Sequence, residues 1–310
     1  MARTRVVIDT DPGVDDAIAI LVALASPELD VVALTTVAGN VDLERTTRNA
    51  RRLVELSGRS DVVVAAGCAA PLAGVAVHAS EVHGNDGLGD LEWDEPSVPL
   101  AKEHAVEVLR SLIEEEPLTI VAIGPLTNLA LLLELYPDVE RRVERVVIMG
   151  GASFEGNVTP AAEFNIWFDP EAAERVFAAA WPITLMPLDL THQAMFNDAD
   201  LAYLRELGSD VGRRCAAMLE PYAAHHDQWY GQRDIIMHDA TAVYELIEPG
   251  AITTQAVSVT VETGGQYSRG ATWINRRRSQ VDGRVRVGLS LDNELFVARL
   301  RERLATYPTP

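Results

Sequence analysis

Lysine is nearly absent from this chain of 310 residues, in which Lys102 is the only one. Lysine and arginine together number 26 against 46 aspartate and glutamate residues, which gives a formal net charge of −20. An acidic surface repels phosphate backbones, so nucleic acid is not expected as a partner. No Gly-Lys-Ser or Gly-Lys-Thr sequence occurs, which excludes a P-loop nucleotide-binding site.

Cysteine and long apolar segments are also scarce. Cys68 and Cys215 are far apart and lack the spacing of metal ligands, so no disulfide framework is indicated. No apolar run of about 18 residues occurs and no apolar segment precedes the first predicted strand, so we expect a cytoplasmic protein without a membrane partner. At 48% hydrophobic residues the chain can bury a large core. Because no linker or repeat divides it, we expect a single domain over residues 1–310.

What the chain does contain is an acid-rich stretch, Asp9-Thr10-Asp11-Pro12-Gly13-Val14-Asp15-Asp16, directly after an apolar run. The pattern predicts a buried strand, a tight turn and a helix. Ligands of open α/β sheets bind at the carboxyl ends of strands. Carboxylates gathered there repel one another unless a cation balances them. Calcium and magnesium prefer such oxygen ligands, so the stretch predicts a metal site.

A simpler explanation covers part of this stretch. Asp15 and Asp16 could merely begin a helix, because acidic residues cap helices well and favour the positive end of the helix dipole. That explanation does not account for Asp9 and Asp11 at the end of the strand. The metal site is therefore the stronger interpretation.

Strand-like and helix-like segments alternate along the chain, which predicts an open α/β fold with a mostly parallel central sheet flanked by helices. A long loop rich in Gly, Pro, His and Asp interrupts the alternation at 67–99, and loops of this length are usually functional. The tail at 251–290 predicts a small antiparallel addition near the C-terminus. Predicted strands cover 29–37, 62–67, 118–123, 146–151 and 183–188. Predicted helices cover 42–58, 101–115, 198–206, 211–228, 240–247 and 292–305.

Polar side chains gather at the predicted ends of several strands. They offer many hydrogen-bond donors and acceptors but little positive charge. That combination suits a neutral polyhydroxylated ligand such as a sugar, and it suits phosphate poorly. The residues concerned are Asp9, Asp11, Asn40, Asn157, Glu163 and Asn165, with Asp239 at a predicted helix start.

Five motifs resemble those of the inosine-uridine preferring nucleoside hydrolases. They are DTDPGVDD at 9–16, TTVAGN at 35–40, GPLTN at 124–128, GNVTPAAEFN at 156–165 and MHDA at 237–240. The resemblance runs in register from residue 5 to about 245. It implies the Rossmann-like nucleoside hydrolase fold and a homo-oligomer, either a dimer or a tetramer. It also implies hydrolysis of the N-glycosidic bond of ribonucleosides to ribose and free base, with one calcium ion at the bottom of the pocket.

The resemblance further implies a role for each candidate site residue. The metal ligands would be Asp11, Asp16, Asp239 and the backbone carbonyl of Ile123. The ribose hydroxyls would bind Asp15, Asn40, Asn157, Glu163 and Asn165. The residues facing the base would be His83, Tyr222, His226, Tyr230 and His238. His226 departs from the Tyr or Gln expected there, which leaves the base preference open.

Asp11 and His238 are the residues expected to carry the chemistry. Cleavage builds oxocarbenium character on the sugar, which a nearby anionic site stabilises. Calcium is a weaker Lewis acid than zinc, so Asp11 is expected to take the proton from a water on the metal. The ion would also orient the ribose through its 2′ and 3′ hydroxyls. His238 is expected to protonate the leaving base, because histidine titrates near neutral pH.

Structural roles remain open for several of these residues. Asn40 could simply cap the helix at 42–58, and Glu163 and Asn165 could be hydrogen-bonding residues of a loop. His83 could be a solvated loop histidine, and His238 could only support Asp239.

Other aromatic and histidine residues are expected to be structural. His192 is expected to be a hydrogen-bonded structural histidine. Trp93, Trp167 and Trp273 are expected in the core or in an interface. A second metal site at His225, His226 and Asp227 is disfavoured, because adjacent side chains point apart on a helix.

Two other functions compete with nucleoside hydrolysis. A haloacid-dehalogenase-like phosphatase also has Asp-x-Asp after its first strand, but it needs a lysine near the phosphate, and Lys102 falls on a predicted amphipathic helix. A catalytically inactive, calcium-dependent ribose- or nucleoside-binding protein would keep the same ligands. Release of reducing sugar from inosine or uridine distinguishes the enzyme from the binding protein.

Overall fold

The strands and helices alternate along the chain, as predicted. The computed structural model describes residues 3–277, 281 and 283–309, without the side chains of Trp229 and Tyr230. The strands are β1 (Thr4–Thr10), β2 (Leu29–Thr36), β3 (Val63–Ala66), β4 (Leu118–Ala122), β5 (Val143–Met149), β6 (Ile183–Met186), β7 (Met195–Phe196), β8 (Ile235–Ile236), β9 (Thr253–Val261), β10 (Thr272–Asn275) and β11 (Val285–Ser290). The helices are α1 (Val14–Ala25), α2 (Leu43–Ser57), α3 (Ser80–His83), α4 (Ala105–Glu115), α5 (Thr127–Leu135), α6 (Phe164–Phe168), α7 (Pro170–Ala178), α8 (Leu188–Thr191), α9 (Asp198–Glu206), α10 (Asp210–Tyr230), α11 (Ala240–Ile247) and α12 (Asn293–Leu304).

A mixed sheet occupies the centre of the molecule. Across the described ranges its strand order is β10-β9-β11-β6-β5-β4-β1-β2-β3. Neighbouring strands are parallel throughout the run β11, β6, β5, β4, β1, β2 and β3. β9 and β10 then pair antiparallel at the far end, and β7 and β8 form a separate antiparallel pair. The predicted parallel sheet and its C-terminal antiparallel addition are confirmed.

The position of β1 creates the crevice in which a ligand can bind. The chain leaves β1 for β2 on one side and later returns to β4 on the other side. Asp9 of β1 is in register with Thr35 of β2 and with Ala122 of β4. Ligands of doubly wound sheets bind where the strand order reverses in this way. Asp11 and Ile123, which follow β1 and β4, therefore flank that crevice.

Helix α1 carries the acid-rich stretch into the core. Its sequence is apolar on nearly every side, and it is covered by α2, α10, α11 and α12. Asp16 stabilises the start of the helix, because its Oδ2 accepts a hydrogen bond from the Gly13 amide at 3.0 Å. Asp15 and Asp16 in the first turn are consequently buried rather than placed on the surface.

Buried apolar side chains fill both faces of the sheet. One cluster includes side chains of α1, α2, α10, α11 and α12, and the other includes those of α4, α5 and α7. Both faces are therefore covered, as parallel sheets require. Throughout the described ranges, no helix combines the length and apolar character needed to span a membrane.

Three predicted local features differ from the structure. Helix α4 begins at Ala105 rather than 101, because the His104 side chain accepts a hydrogen bond from the Val106 amide, and Lys102 precedes the helix. Asp42, not Asn40, caps α2 by accepting a hydrogen bond from the Arg45 amide, so the capping role considered for Asn40 is wrong. The loop at 67–99 contains the single-turn helix α3.

Candidate active site

Three buried carboxylates converge at the carboxyl end of β1. One oxygen from each of Asp15, Asp16 and Asp239 lies within 4.8 Å of the other two. Asp15 and Asp16 come from the first turn of α1, and Asp239 immediately precedes α11. Over the described part of the chain, no other group of three or more His, Cys, Asp or Glu side chains comes this close. The fold thus joins two segments more than 200 residues apart in sequence.

The orientation of Asp16 is fixed by hydrogen bonds to both of its oxygens. Thr10 Oγ1 donates to Oδ1 at 2.6 Å. The Gly13 amide and Asn40 Nδ2 donate to Oδ2 at 3.0 and 3.1 Å. Asn40 therefore connects the tip of β2 to the acid cluster, which is a structural role in addition to the predicted contact with ribose.

Asp11 lies beside this cluster, between two glycines. Its Oδ2 accepts a hydrogen bond from the Asn40 amide at 2.7 Å. Its Oδ1 is buried and has no hydrogen-bond partner among the described residues. A Cβ atom on Gly39 would lie 2.0 Å from Oδ2, and one on Gly124 would lie 2.5 Å from Oδ1. Both glycines are therefore required for the backbone to approach this carboxylate.

The acid cluster is electrostatically unfavourable without a cation. Burial, followed by repulsion from Asp16, raises the pKa of Asp11 well above its usual range and the pKa of Asp15 to about 8. Burial and repulsion from the other three carboxylates likewise raise the pKa of Asp239. A divalent cation would relieve this repulsion and would give the buried Asp11 Oδ1 a partner. An all-oxygen donor set of this kind fits a hard cation such as calcium.

A cavity of about 480 Å³ opens above the acid cluster. It is lined by residues from the loops that follow β1, β2, β4 and β5, and by α3 and α10. The predicted site residues that line it are Asp15, Asn40, His83, Ile123, Asn157, Glu163, Asn165, Tyr222, His226, His238 and Asp239. The side chain of Tyr230, predicted to face the base, lies outside the described residues. The cavity thus gathers the predicted ribose residues and most of the predicted base residues beside Ile123 and Asp239, whereas Asp11 and Asp16, the other two predicted metal ligands, do not line it.

One wall of the pocket is built around helix α6. Glu163 caps this helix, accepting hydrogen bonds from the amides of Asn165 and Ile166, and it also binds the Gly151 amide. Asn165 Nδ2 donates to the Ile123 carbonyl at 3.3 Å, the carbonyl predicted to be a metal ligand. The loop role considered for Glu163 and Asn165 is therefore real, but both side chains also line the cavity.

The opposite wall is aromatic. His83 is buried, and its Nδ1 accepts a hydrogen bond from the Val14 amide at 3.1 Å, which leaves the proton on Nε2. The ring of Tyr222 stacks on His83 at 5.4 Å and meets His226 edge-on at 4.8 Å. Burial lowers the pKa of His83 to about 3 and that of His226 to about 4. The alternative of a solvated loop histidine at position 83 is therefore wrong.

His238, which directly precedes Asp239 in the chain, also lines the cavity. Its Nδ1 is 2.8 Å from Thr191 Oγ1, and burial lowers the pKa of its imidazole well below the usual value. Thr191 was not identified from the sequence. Its only signal is that it follows β6 in the same way that other site residues follow strands.

The residues expected to be structural occupy different environments. His192 is exposed, and its ring centre lies 5.8 Å from that of His238. Trp167 lines the pocket, and Trp93 lines a separate cleft. Trp273 is 56% exposed, so it does not lie in the core of the monomer.

Comparison with known proteins identifies the family of this chain and several similar proteins. The family model for inosine-uridine preferring nucleoside hydrolases matches residues 6–298. The pyrimidine-specific ribonucleoside hydrolase RihA of Citrobacter koseri is 43% identical over 97% of this chain and 98% of its own length. The plant nucleoside hydrolase PpNRh1 superposes with a TM-score of 0.94 at 37% identity, covering 98% of this chain and 99% of its own. A purine-preferring ribonucleoside hydrolase from Gardnerella vaginalis superposes at 0.93 with 29% identity, covering 98% of each chain.

Proposed function

Because the chain belongs to the family of inosine-uridine preferring nucleoside hydrolases, we propose that it hydrolyses ribonucleosides in a calcium-dependent reaction and prefers pyrimidine bases. The observation that carries the metal dependence is the buried cluster of Asp15, Asp16 and Asp239 beside Asp11. Such a cluster is costly to bury without a cation. Its oxygen-only composition favours calcium over softer metals.

The reaction replaces the bond between ribose C1′ and the base nitrogen with a bond to water oxygen. Calcium, when bound, would offset part of the negative charge of the carboxylates and would position both the water and the 2′ and 3′ hydroxyls. Asp11 accepts a proton from the attacking water, and Asn40 holds its carboxylate in place through the hydrogen bond to Oδ2. The negative cluster below the sugar stabilises the positive charge that develops on the ring.

The leaving base takes the bonding electron pair and needs a proton. His238 is the proposed donor, because it lines the cavity next to Asp239 while Thr191 holds its Nδ1. Burial lowers the pKa of its imidazole well below the near-neutral value expected from the sequence, so His238 must first take up a second proton. It then donates the proton on Nε2 and returns to neutral imidazole. Water then restores this proton after the base has left.

The preference for pyrimidines rests on similarity to enzymes with known specificity. RihA, which is named as pyrimidine-specific, is 43% identical to this chain, whereas the purine-preferring enzyme is 29% identical. The aromatic wall of His83, Tyr222 and His226 is the part of the pocket available to distinguish the two classes of base.

A panel of nucleosides tests this proposal. Release of reducing sugar is measured as kcat/KM for uridine, cytidine, inosine, adenosine and guanosine. We expect uridine and cytidine to be hydrolysed at least about tenfold more efficiently than any purine nucleoside, equivalent to about 1.4 kcal/mol. Equal or better hydrolysis of inosine would refute the pyrimidine preference. Binding without sugar release would instead identify the inactive binding protein.

A further inference from the structure

A second cleft, outside the active site, is lined by arginines. It has a volume of about 660 Å³ and lies between α2, α10 and the loop at 86–94. Arg45, Arg48 and Arg52 reach it from α2, and Arg214 reaches it from α10. Four guanidinium groups in one cleft are unexpected in a chain with a net charge of −20.

Two of these arginines have no carboxylate partner. Arg45 pairs with Asp42, and Arg48 pairs with Glu44. Arg52 and Arg214 make no ion pair with any described residue; Arg214 donates only to the Glu92 carbonyl, at 2.6 Å. Their guanidinium carbons lie 5.8 and 4.3 Å from the centre of the Trp93 ring, so two cations share one indole.

The same cleft contains donors that lack acceptors. Arg52 Nε and the indole Nε1 of Trp93 are both buried, and neither has a hydrogen-bond partner in the described ranges. Buried donors usually find an acceptor, because an unsatisfied one costs about 1–3 kcal/mol. Burial lowers the pKa of Arg52; attraction to Asp86 and Glu95 opposes this effect, and repulsion from Arg48 and Arg214 adds to it. An anion with several acceptor oxygens in the cleft would offset the positive charges of Arg52 and Arg214.

From this arrangement we propose that the cleft binds a phosphate group, either inorganic phosphate or the phosphate of a monoester. Guanidinium groups bind phosphate oxygens through paired hydrogen bonds. Asp86, Glu92 and Asp94 also line the cleft, which disfavours anions that carry further charges. Asp86 Oδ1 is already occupied by the amides of Leu88 and Asp90, so this oxygen belongs to the loop.

The cleft is one side chain away from the active site. Arg52 Nη1 donates to Asn49 Oδ1 at 3.2 Å. Asn49 Nδ2 donates in turn to the Pro12 carbonyl, within the acid-rich turn, and to the Asp86 carbonyl of the loop. Arg52 is therefore linked through Asn49 to the acid-rich turn and to the loop at 86–94.

Calorimetric titration of the calcium-loaded protein with inorganic phosphate tests this proposal. Saturating ribose occupies the catalytic pocket, and sodium chloride at equal ionic strength is the reference. We expect phosphate to release or absorb heat with one site per chain. The double variant Arg52→Gln/Arg214→Gln should bind at least about tenfold more weakly, because it loses charge-assisted hydrogen bonds. Arg141→Gln, which removes an exposed arginine outside the cleft, should bind within about twofold of the wild type.

Two further measurements complete the test. Ribose 5-phosphate and uridine 5′-phosphate are titrated in the same way. Tighter binding of a monoester than of inorganic phosphate identifies the monoester as the ligand. Equal binding shows that the cleft recognises the phosphate group alone. Uridine hydrolysis by the double variant reports that it is folded, and Arg214→Gln alone replaces it if it is not. Phosphate binding that is absent in the wild type, or unchanged in the variants, overturns the proposal without affecting the proposed hydrolase activity.

Discussion

Thr191 Oγ1 lies 2.8 Å from His238 Nδ1, and this contact fixes the orientation of the imidazole. The hydroxyl also lies 3.4 Å from the Leu188 carbonyl, to which it can donate. When the imidazole is protonated, its Nδ1–H donates to the hydroxyl, and Nε2 carries the proton that the leaving base needs. Thr191 is thus a positioning residue for the proposed acid.

Replacing Thr191 by valine should weaken leaving-group protonation without changing the volume of the side chain. The loss of one hydrogen bond, about 0.5–1.5 kcal/mol, predicts a decrease in kcat for uridine of about 2–12-fold. Hydrolysis of p-nitrophenyl riboside, whose leaving group needs no proton, should stay within about twofold. Thr191→Ser keeps the hydroxyl and should restore the rate for uridine. An equal decrease for both substrates would assign Thr191 a purely structural role.

Removing the proposed acid itself should have a larger effect. His238→Ala is expected to slow hydrolysis of uridine and inosine by about 10²–10⁴-fold, the usual contribution of a general acid. The rate with p-nitrophenyl riboside should be nearly unchanged. Equal slowing of both substrate types would mean that His238 acts through Asp239 instead. If neither is slowed, His83→Ala and His226→Ala on the same substrates identify the donor.

The order of the strands, and the polar residues that follow them, could be predicted because both depend on local sequence patterns. The stretch at 9–16 predicted a strand, a turn and a helix, and β1 and α1 have those positions. Its acids were expected to converge with Asp239, and Asp16 and Asp15 do so. Whether Asp11 or Asp15 completes the ligand set depends on side-chain rotamers that tertiary packing selects, which periodicity does not encode. The metal ligand set therefore stays a prediction, as does the oligomeric state.

Other parts of the structure could not be predicted, because they depend on contacts between residues far apart in the sequence. Thr191 meets His238 only because β6 lies beside β5 and the α11 segment folds back over the sheet. The arginine cleft is likewise assembled from α2, α10 and a loop, and the three segments share no motif. Asp42 caps α2, whereas Asn40 instead donates hydrogen bonds to the carboxylates of Asp11 and Asp16.

The close approach of Gly39 to Asp11 makes a specific prediction. Because a Cβ atom there would lie 2.0 Å from Asp11 Oδ2, Gly39→Ala must displace the carboxylate. We expect kcat for uridine to fall by about 10²-fold or more, since misplacing a reacting group by about 1 Å has that effect. Gly264→Ala is the matched control, because the nearest atom to its Cβ would be 3.9 Å away. Wild-type activity in Gly39→Ala would contradict the assigned position of Asp11.

The buried carboxylates also predict how stability depends on pH when calcium is removed. Burial raises the pKa of Asp15 to about 8 from an ordinary value of 3.8, so between these values the folded protein holds more protons than the unfolded one. The unfolding free energy of the metal-free protein should therefore fall as the pH rises through this range. Calcium should raise the melting temperature more at pH 8 than at pH 5. An equal effect of calcium at both pH values would count against a calcium site built from these acids.

The most direct test of the account is the calcium requirement of uridine hydrolysis. The purified protein is stripped with a strong chelator and assayed for release of ribose before and after calcium is added back, alongside Asp11→Ala and Asp239→Ala. We expect the stripped wild type to be inactive and to recover on binding about one calcium ion per chain, whereas both variants should stay inactive and bind calcium weakly. Full activity of the stripped wild-type protein would contradict it.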